Sequence, residues 1–208
     1  MKSVLISIHP KWCEKIANRG KVIEVRKTRP KLETPFKCYI YCTNTRPYLV
    51  WGDVFRGNWE TEFTHISGYS RKRAEEIWDV FNGNVIGEFI CDKIHLWNQD
   101  VHDNDTITLE EASKLSCLSE DELLKYADGY FYGWHISDLV IYDEPKELRE
   151  FAAVCKYKND DGTCPAKKVE CFYQQFDYNQ DGSINLVECG KKIERPPQSW
   201  CYVEDGDT

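Results

Sequence analysis

The sequence lacks any long apolar run. None of its hydrophobic stretches approaches the roughly 18 residues that a membrane-spanning helix needs. The apolar opening from Val4 to Ile8 is too short for a secretory signal peptide. We therefore expect a cytosolic protein with no membrane partner. A hydrophobic share of 41% and a charged share of 30% are typical of a chain with a buried core, which excludes disordered, collagen-like and coiled-coil proteins.

The sequence also lacks cysteine pairs at CxxC spacing, although it contains ten Cys. In a reducing compartment this absence argues against a thioredoxin-like site and against the commonest zinc spacings. Cys38 and Cys42 share one face of a predicted strand and are interpreted as core residues. Four further cysteines in a loop-rich segment are candidates either for a four-thiolate zinc site or for buried free thiols. These are Cys155, Cys164, Cys171 and Cys189.

Charge is unevenly distributed along the chain. The whole chain has a formal net charge of −8, but residues 1–50 contain eleven Lys or Arg and only three Glu, a local charge of +8. Association with phosphate depends on the local field, so an acidic protein can still present a basic face to nucleic acid. A solvated basic face without a partner explains the same count.

The apolar patterns predict several strands with short helices between them and no βαβ repeat. Helices are expected at 10–19, at 71–81 with Ser70 as N-cap, at 120–127 behind a capping box that begins at Ser119, and near 146–151. Ile77, Trp78 and Phe81 are expected to face the core. Strands are expected at 4–8, 22–26, 37–42 and 85–90, with one or two more within 131–142.

The strand at 22–26 contains the most informative polar residues. Glu24 and Arg26 are two residues apart and therefore share a strand face, while Lys21 lies at the strand's entry. A Lys, a Glu and an Arg that converge in a concave site would bind a phosphate or the edge of a base. An exposed cluster of salt bridges is the alternative. Arg29 extends the basic strip as a contact for a nucleic-acid backbone.

Three segments together resemble the ASCH family, a branch of the PUA-like barrels. The first is Ser7-Ile8-His9-Pro10-Lys11-Trp12, followed by Gly20-Lys21-Val22-Ile23-Glu24-Val25-Arg26 with its GKxxExR pattern. The others are Val85-Ile86-Gly87-Glu88-Phe89 and Tyr132-Gly133-Trp134-His135-Ile136-Ser137-Asp138-Leu139. The tail from Arg195 to Val203 is similar to that of ASCH proteins common in phages and Gram-positive bacteria, which suggests a prophage origin.

The resemblance implies an α+β fold, a small PUA-like β-barrel with mixed, mostly antiparallel strands and short helices. We expect the barrel at residues 1–150, with a helical insertion at about 44–84. A cysteine-containing extension at 151–208 is expected to pack on it. The implied function is binding of RNA or a nucleotide in a cleft near Lys21, Glu24 and Arg26. The resemblance also brings Trp134 and His135 near this cleft, where an aromatic ring would stack on a base. A core Trp and a hydrogen-bonded His explain the same residues.

An enzymatic function is the first alternative. Some small ASCH proteins are amidohydrolases that remove the acetyl group of N4-acetylcytidine with a Lys, a Thr and a Glu. Lys21 matches that lysine, but Glu24 occupies the position of the threonine. Lys21 and Glu24 are therefore the catalytic candidates if the protein is an enzyme, with one of them acting as a base.

The C-terminal part contains a calcium-loop pattern from Asp177 to Glu188. A β-hairpin explains the same residues, with a three-residue loop Gln180-Asp181-Gly182 that places Phe176, Tyr178, Ile184 and Leu186 on one face. We favour the hairpin and expect no calcium and no other cofactor, zinc apart. A non-catalytic interaction module of phage origin, with this hairpin as its contact surface, is the second alternative.

Overall fold

The computed structural model describes residues 2–51, 63–101, 106–154, 174–178, 184–189 and 191–204. Within these ranges the chain is a mixture of short helices and strands. The helices are α1 (Pro10–Ala17), α2 (Arg71–Glu75), α3 (Leu109–Ser116) and α4 (Glu120–Tyr126), with a 3-10 turn at Leu148–Glu150. In this part of the chain, no helix combines the length and the apolar character needed to cross a membrane.

The described strands make up four sheets. In chain order they are β1 (Lys2–Ile8), β2 (Ile23–Arg26), β3 (Phe36–Cys42), β4 (Tyr48–Trp51), β5 (Phe63–Ile66), β6 (Val85–Cys91), β7 (Ile94–Asn98), β8 (Tyr130–His135), β9 (Ser137–Lys146), β10 (Ala152–Ala153), β11 (Gln174–Tyr178), β12 (Ile184–Cys189), β13 (Lys191–Lys192) and β14 (Trp200–Glu204). All strand pairs are antiparallel except β1 with β3.

The largest sheet has seven strands in the order β13-β10-β14-β1-β3-β6-β9. A second sheet has the order β2-β8-β7, and β4 with β5 and β11 with β12 form two-stranded sheets. The α+β class with mostly antiparallel pairing is confirmed. The expected closed barrel is not formed by the described strands, because the seven-stranded sheet ends in two edges, at β13 and β9.

The main core lies between the seven-stranded sheet, α1 and one face of the three-stranded sheet. Val4, Ile6 and Ile8 alternate along β1 into this core, where Cys13 and Ile16 of α1 meet them. Full burial of each such aliphatic side chain stabilises the fold by about 1.5–3 kcal/mol. Cys38 and Cys42 are also fully buried in this core, as the strand pattern predicts. This packing fixes α1 and the start of β2 relative to the large sheet.

The helix expected at 71–81 is shorter than its apolar pattern suggests. Ser70 is the N-cap, as predicted, but α2 ends at Glu75. The backbone N–H of Phe81 donates to Leu49 of β4 rather than to the preceding helical turn, and Val80 forms a bridge with Val50. Phe81 is buried as expected, whereas Ile77 is 43% exposed, so its predicted core position is wrong.

The described residues of the predicted insertion and extension include both strands and a helix. Residues 44–84 contribute β4, β5 and α2. Near the C-terminus, β14 lies between β10 and β1 and pairs with β1 along five residues. It is therefore an internal strand of the large sheet and does not merely pack on it. The division of the chain at residue 150 stays a prediction.

The hairpin predicted over the calcium-loop pattern is confirmed in its backbone. β11 and β12 are antiparallel, with Phe176 opposite Leu186 and Tyr178 opposite Ile184, which is the register that a loop centred on Asp181 requires. The calcium pattern would instead need a helix on each side of the loop. The loop residues 179–183 lie outside the described part of the chain.

Candidate functional site

Strand β2 places Glu24 and Arg26 on the same face, as the two-residue spacing predicts. Ile23 and Val25 point to the opposite face, into a core cluster with Phe131 and Leu123. The register with β8 sets Glu24 opposite Trp134. An alternating strand with one apolar face therefore presents two charged side chains toward α1 and the large sheet.

Lys21 reaches this pair from the turn between α1 and β2. The turn is closed by the backbone N–H groups of Gly20 and Lys21, which both donate to Lys15. The Lys21 ammonium donates to the backbone carbonyl of Ser116 at 3.0 Å, lies 3.4 Å from Glu24 Oε2 and sits 5.5 Å from the centre of the Trp12 ring. Its side chain is only 2% exposed.

Arg26 completes the cluster on the other side of Glu24. Its Nη2 lies 3.0 Å from Glu24 Oε1 and donates to the Ser7 carbonyl at 2.6 Å, while Nη1 donates to Ser199 Oγ at 3.4 Å. The Arg26 side chain is 11% exposed. The predicted meeting of Lys21, Glu24 and Arg26 is thus found in the structure. The cluster is buried rather than exposed, so the alternative of a weak surface salt bridge does not apply.

Two polar atoms of this cluster have no hydrogen-bond partner. Glu24 Oε2 is buried and is held only by the ion pair with Lys21, and Arg26 Nε is buried without an acceptor. An unsatisfied buried polar group costs about 1–3 kcal/mol, and more when it is charged. Both atoms have less than 1 Å² of accessible surface, so this cost belongs to the interior of the cluster.

A cavity of about 470 Å³ opens beside the cluster. This volume falls in the range of about 300–1,000 Å³ that is common for small-molecule sites. Its walls come from β1, α1, β2, α4, the end of β3 and the segment before β14. The lining residues are Ser7, His9, Trp12, Lys21, Glu24, Val25, Arg26, Thr43, Leu118, Glu122, Tyr126, Pro196, Pro197 and Gln198. We call this cavity the cleft.

Cations surround the aromatic residues of the cleft. The Lys11 ammonium lies 4.3 Å from the centre of the Trp12 ring, and the Lys27 ammonium lies 5.4 Å from the centre of the Tyr126 ring. Partial burial lowers the pKa of His9, and the Lys11 charge acts in the same direction, against a backbone hydrogen bond with Arg46. The neutral form of His9 is therefore favoured at pH 7.

Trp134 does not line the cleft. Although it pairs with Glu24, its ring is fully buried in the main core, against Phe36 with ring centres 6.0 Å apart and against Trp200 with ring centres 5.9 Å apart. In this position it cannot stack on a ligand, and the alternative of a core Trp describes it.

The other two predicted contact residues also lie outside the cleft. His135 is on the opposite face of β8, where its Nδ1 lies 2.6 Å from Asp92 Oδ1. This hydrogen bond lowers the pKa of the Asp92 carboxyl. The exposed Arg29 guanidinium lies 5.9 Å from the centre of the Tyr132 ring. Of the six predicted nucleic-acid contacts, the structure brings together Lys21, Glu24 and Arg26.

Sequence reasoning missed several residues that the fold brings into the cleft. Trp12 of α1 is half-buried. Thr43 follows β3, Tyr126 ends α4, and the segment Pro196–Gln198 precedes β14. The capping box at Ser119 is a signal for the helix that carries Tyr126. No local pattern indicates that Trp12, Thr43 and the segment Pro196–Gln198 line one cavity, because this depends on the order of the strands.

The zinc candidates cannot be placed in the same way. Cys155, Cys164 and Cys171 lie outside the described residues, as does the side chain of Cys189. Among the residues that are described, no group of three or more His, Cys, Asp or Glu side chains is arranged to hold a metal ion. The zinc site therefore stays a prediction.

Comparison with solved structures finds ASCH proteins. The structure is similar to the crystal structure of an ASCH protein from Zymomonas mobilis. The two sequences are 16% identical, the match covers 70% of this chain and 73% of that chain, and the TM-score is 0.45. Two point mutants of the same protein give TM-scores of 0.46 and 0.44, at 15% and 17% identity, over 71% and 70% of this chain and 77% and 74% of theirs. No family model and no curated protein matches the sequence.

Proposed function

We propose that this protein binds single-stranded RNA or a nucleotide in the cleft. The observation that carries the proposal is that the Lys21–Glu24–Arg26 cluster lines a cavity of about 470 Å³ together with Trp12 and Tyr126. The PUA-like arrangement that the sequence resemblance implies is part of the same proposal.

The composition of the cleft suits a nucleotide in two further respects. Lys and Arg side chains attract the phosphate backbone through their positive charge. Trp12 and Tyr126 offer aromatic surface to a base, and stacking of one base on an aromatic ring is worth about 1–3 kcal/mol. The same rings would be of little use for a free inorganic anion.

Fluorescence anisotropy with short single-stranded RNAs tests this proposal. We expect binding that weakens as salt rises from about 50 to 200 mM, because bound phosphates release counterions. Arg26→Ala is expected to lose binding at every salt concentration. Lys72→Gln removes an exposed charge of α2 outside the cleft and serves as the control that retains binding. Circular dichroism of each variant separates lost binding from lost folding. A folded wild-type protein that binds no RNA even at low salt would contradict the proposal.

A second candidate function is amide hydrolysis on a modified nucleoside such as N4-acetylcytidine. The observation that favours it is Thr43, which lines the same cavity as Lys21 and Glu24 although it is far from them in sequence. A hydroxyl, a Lys and a carboxylate in one cavity are groups among which one can activate another as nucleophile. In this proposal Thr43 takes the role of the threonine that the GKxxExR segment lacks.

Chromatography of N4-acetylcytidine incubated with the protein tests this second function. Turnover to cytidine and acetate should disappear in Thr43→Ala and in Lys21→Ala. The matched control is Thr34→Ala, because Thr34 is exposed and does not line the cleft. Absence of turnover in a wild-type protein that still binds RNA would leave binding as the function.

A further inference from the structure

Three tyrosines lie on the surface near the end of β2. Tyr126 is the last residue of α4, and Tyr130 and Tyr132 are two residues apart in β8, so these two share one face of that strand. Tyr126 is 39% exposed, Tyr130 is 43% exposed and Tyr132 is half-buried. The ring centres of Tyr130 and Tyr132 are 5.9 Å apart. We call these three residues the tyrosine surface.

The tyrosine surface adjoins the cleft at two points. Tyr126 itself lines the cavity. Arg26, another lining residue, is directly opposite Tyr132 in the register of β2 and β8. Residues opposite each other in an antiparallel pair lie on the same face, with Cβ atoms about 4.5–5.5 Å apart. The aromatic rings therefore continue outward from the wall of the cleft.

Two cationic side chains accompany these rings. The Lys27 ammonium lies 5.4 Å from the centre of the Tyr126 ring, and the Arg29 guanidinium lies 5.9 Å from the centre of the Tyr132 ring. Both cations are exposed and both belong to the segment that follows β2. The tyrosine surface thus carries positive charge where it meets solvent.

Strand β14 holds the segment that carries these cations. The indole N–H of Trp200 donates to Thr28 Oγ1 at 3.0 Å, and the Tyr202 hydroxyl accepts from the backbone N–H of Lys31 at 2.6 Å. These two bonds lie on either side of Arg29 in the sequence. They fix the backbone that presents Arg29 to Tyr132 before any ligand arrives.

Packing does not explain the two exposed rings. In the described part of the chain, neither Tyr126 nor Tyr130 belongs to a hydrophobic core cluster, whereas Tyr132 packs against the main core. A ring that stays largely in water contributes little to the stability of the fold through burial. Exposed aromatic rings beside Lys and Arg are the combination with which proteins bind single-stranded nucleic acid.

We propose that the tyrosine surface is a second RNA subsite, which binds the part of a strand that extends out of the cleft. This inference rests on the proposed function and selects an RNA strand over a free nucleotide as the ligand. Lys27 and Arg29 attract the phosphates of the strand. Asp128, which lies between Tyr126 and Tyr130 in the sequence, repels phosphate, so Tyr130 contacts the strand by stacking on a base.

Oligomers of two lengths test this inference. The probes are a labelled uridine dinucleotide and a labelled uridine octanucleotide, and their binding is followed by fluorescence anisotropy. In this proposal the dinucleotide occupies only the cleft, whereas the octanucleotide also reaches the tyrosine surface. We expect the octanucleotide to bind more tightly by about fivefold or more, the gain expected from one further stacked base.

Two variants locate the second subsite. Tyr130→Ala removes an exposed ring, so the octanucleotide should lose about fivefold or more in affinity while the dinucleotide keeps its affinity. Arg29→Gln should lower the salt slope of octanucleotide binding by about one and leave that of the dinucleotide unchanged. The matched control is Tyr126→Ala, which removes a similarly exposed ring from the cleft and should weaken both probes by a similar factor.

The outcomes separate this inference from the proposed function. A longer strand also offers more phosphates and more registers, so the loss in Tyr130→Ala decides. A Tyr130→Ala protein that is folded by circular dichroism and keeps the full advantage of the octanucleotide would overturn the second subsite, as would equal affinity of the wild type for both probes. Binding in the cleft would stand in both cases. Failure of both probes to bind would overturn the proposed function and this inference with it. An octanucleotide advantage that Tyr130→Ala removes supports both.

Discussion

At the residue scale, the two tryptophans Trp12 and Trp134 differ from what the sequence suggests. The motif around Trp134 points to a stacking ring, yet this ring is fully buried against Phe36 and Trp200. Trp12 lies on a helix face that looks like core, yet it lines the cleft under a cation. The residues next to a tryptophan in the sequence do not determine which elements pack against its ring. The burial of Trp134 and the exposure of Trp12 to the cleft therefore become visible only in the assembled fold.

Replacing Trp134 should therefore damage stability and not only binding. We expect Trp134→Ala to lower the free energy of unfolding by roughly 3–5 kcal/mol, because the lost ring leaves a large cavity in the main core. Urea unfolding followed by circular dichroism measures this change. Arg29→Ala, which removes an exposed side chain, should stay within about 0.5 kcal/mol of the wild type. A wild-type urea midpoint for Trp134→Ala would show that this ring is not a core residue.

At the element scale, helix α4 depends on a capping box. Ser119 Oγ accepts from the backbone N–H of Glu122, and the Glu122 carboxylate accepts from both the backbone N–H and the hydroxyl of Ser119. These bonds lower the pKa of Glu122, the backbone bond most of all. Because α4 carries Glu122 and Tyr126 into the cleft, the box also fixes part of the site.

Ser119→Ala should destabilise the protein by about 0.5–2 kcal/mol, the usual cost of losing an N-cap side chain.

The contribution of Glu122 to the stability of the fold depends on pH in a defined direction. Its folded-state pKa lies below the ordinary value of 4.5, so its stabilisation is present above that value and is lost as the pH falls through the folded pKa. Urea midpoints of wild type and Glu122→Gln should therefore differ at pH 7 and converge in acid. Glu120→Gln removes a carboxylate of the same helical turn that lies outside the capping box and controls for the loss of one charge.

Elements were predictable from the sequence wherever the signal was local. The capping box at Ser119, the N-cap at Ser70 and the alternation in β2 predicted elements that the structure contains. The capping box of α3 at Thr108 carries the same signal, although it was not used. The end of α2 was not predictable, because the Phe81 N–H pairs with β4, whose position depends on the whole sheet.

The residues of the cleft also divide into those that a local pattern predicts and those that depend on the whole fold. Lys21, Glu24 and Arg26 lie within six residues, and strand geometry alone predicts that they meet. Thr43 and the segment Pro196–Gln198 come from distant parts of the chain, so only the strand order brings them to the cleft.

At the scale of the whole molecule, the strand order makes the C-terminal strand central. β14 pairs with β1 and β10, and Val203 is fully buried. We expect removal of residues 200–208 to abolish cooperative unfolding, because β1 loses its antiparallel neighbour and the core loses Val203. Thermal unfolding followed by circular dichroism tests this, with a chain ending after Glu204 as the control that keeps every described strand. A cooperative transition in the shorter chain would contradict this role of β14.

The position of β14 also constrains when the protein can become active during its synthesis. β1 leaves the ribosome long before its partner β14, and the Ser199 contact of Arg26 joins residues that are 173 positions apart. Pairing of such distant segments is slow, because loop closure must precede the gain from contact. A nascent chain therefore holds an unfinished cleft through most of its translation. If the cleft binds its proposed ligand, capture requires residue 204 to have emerged, and truncated products should not compete for that ligand.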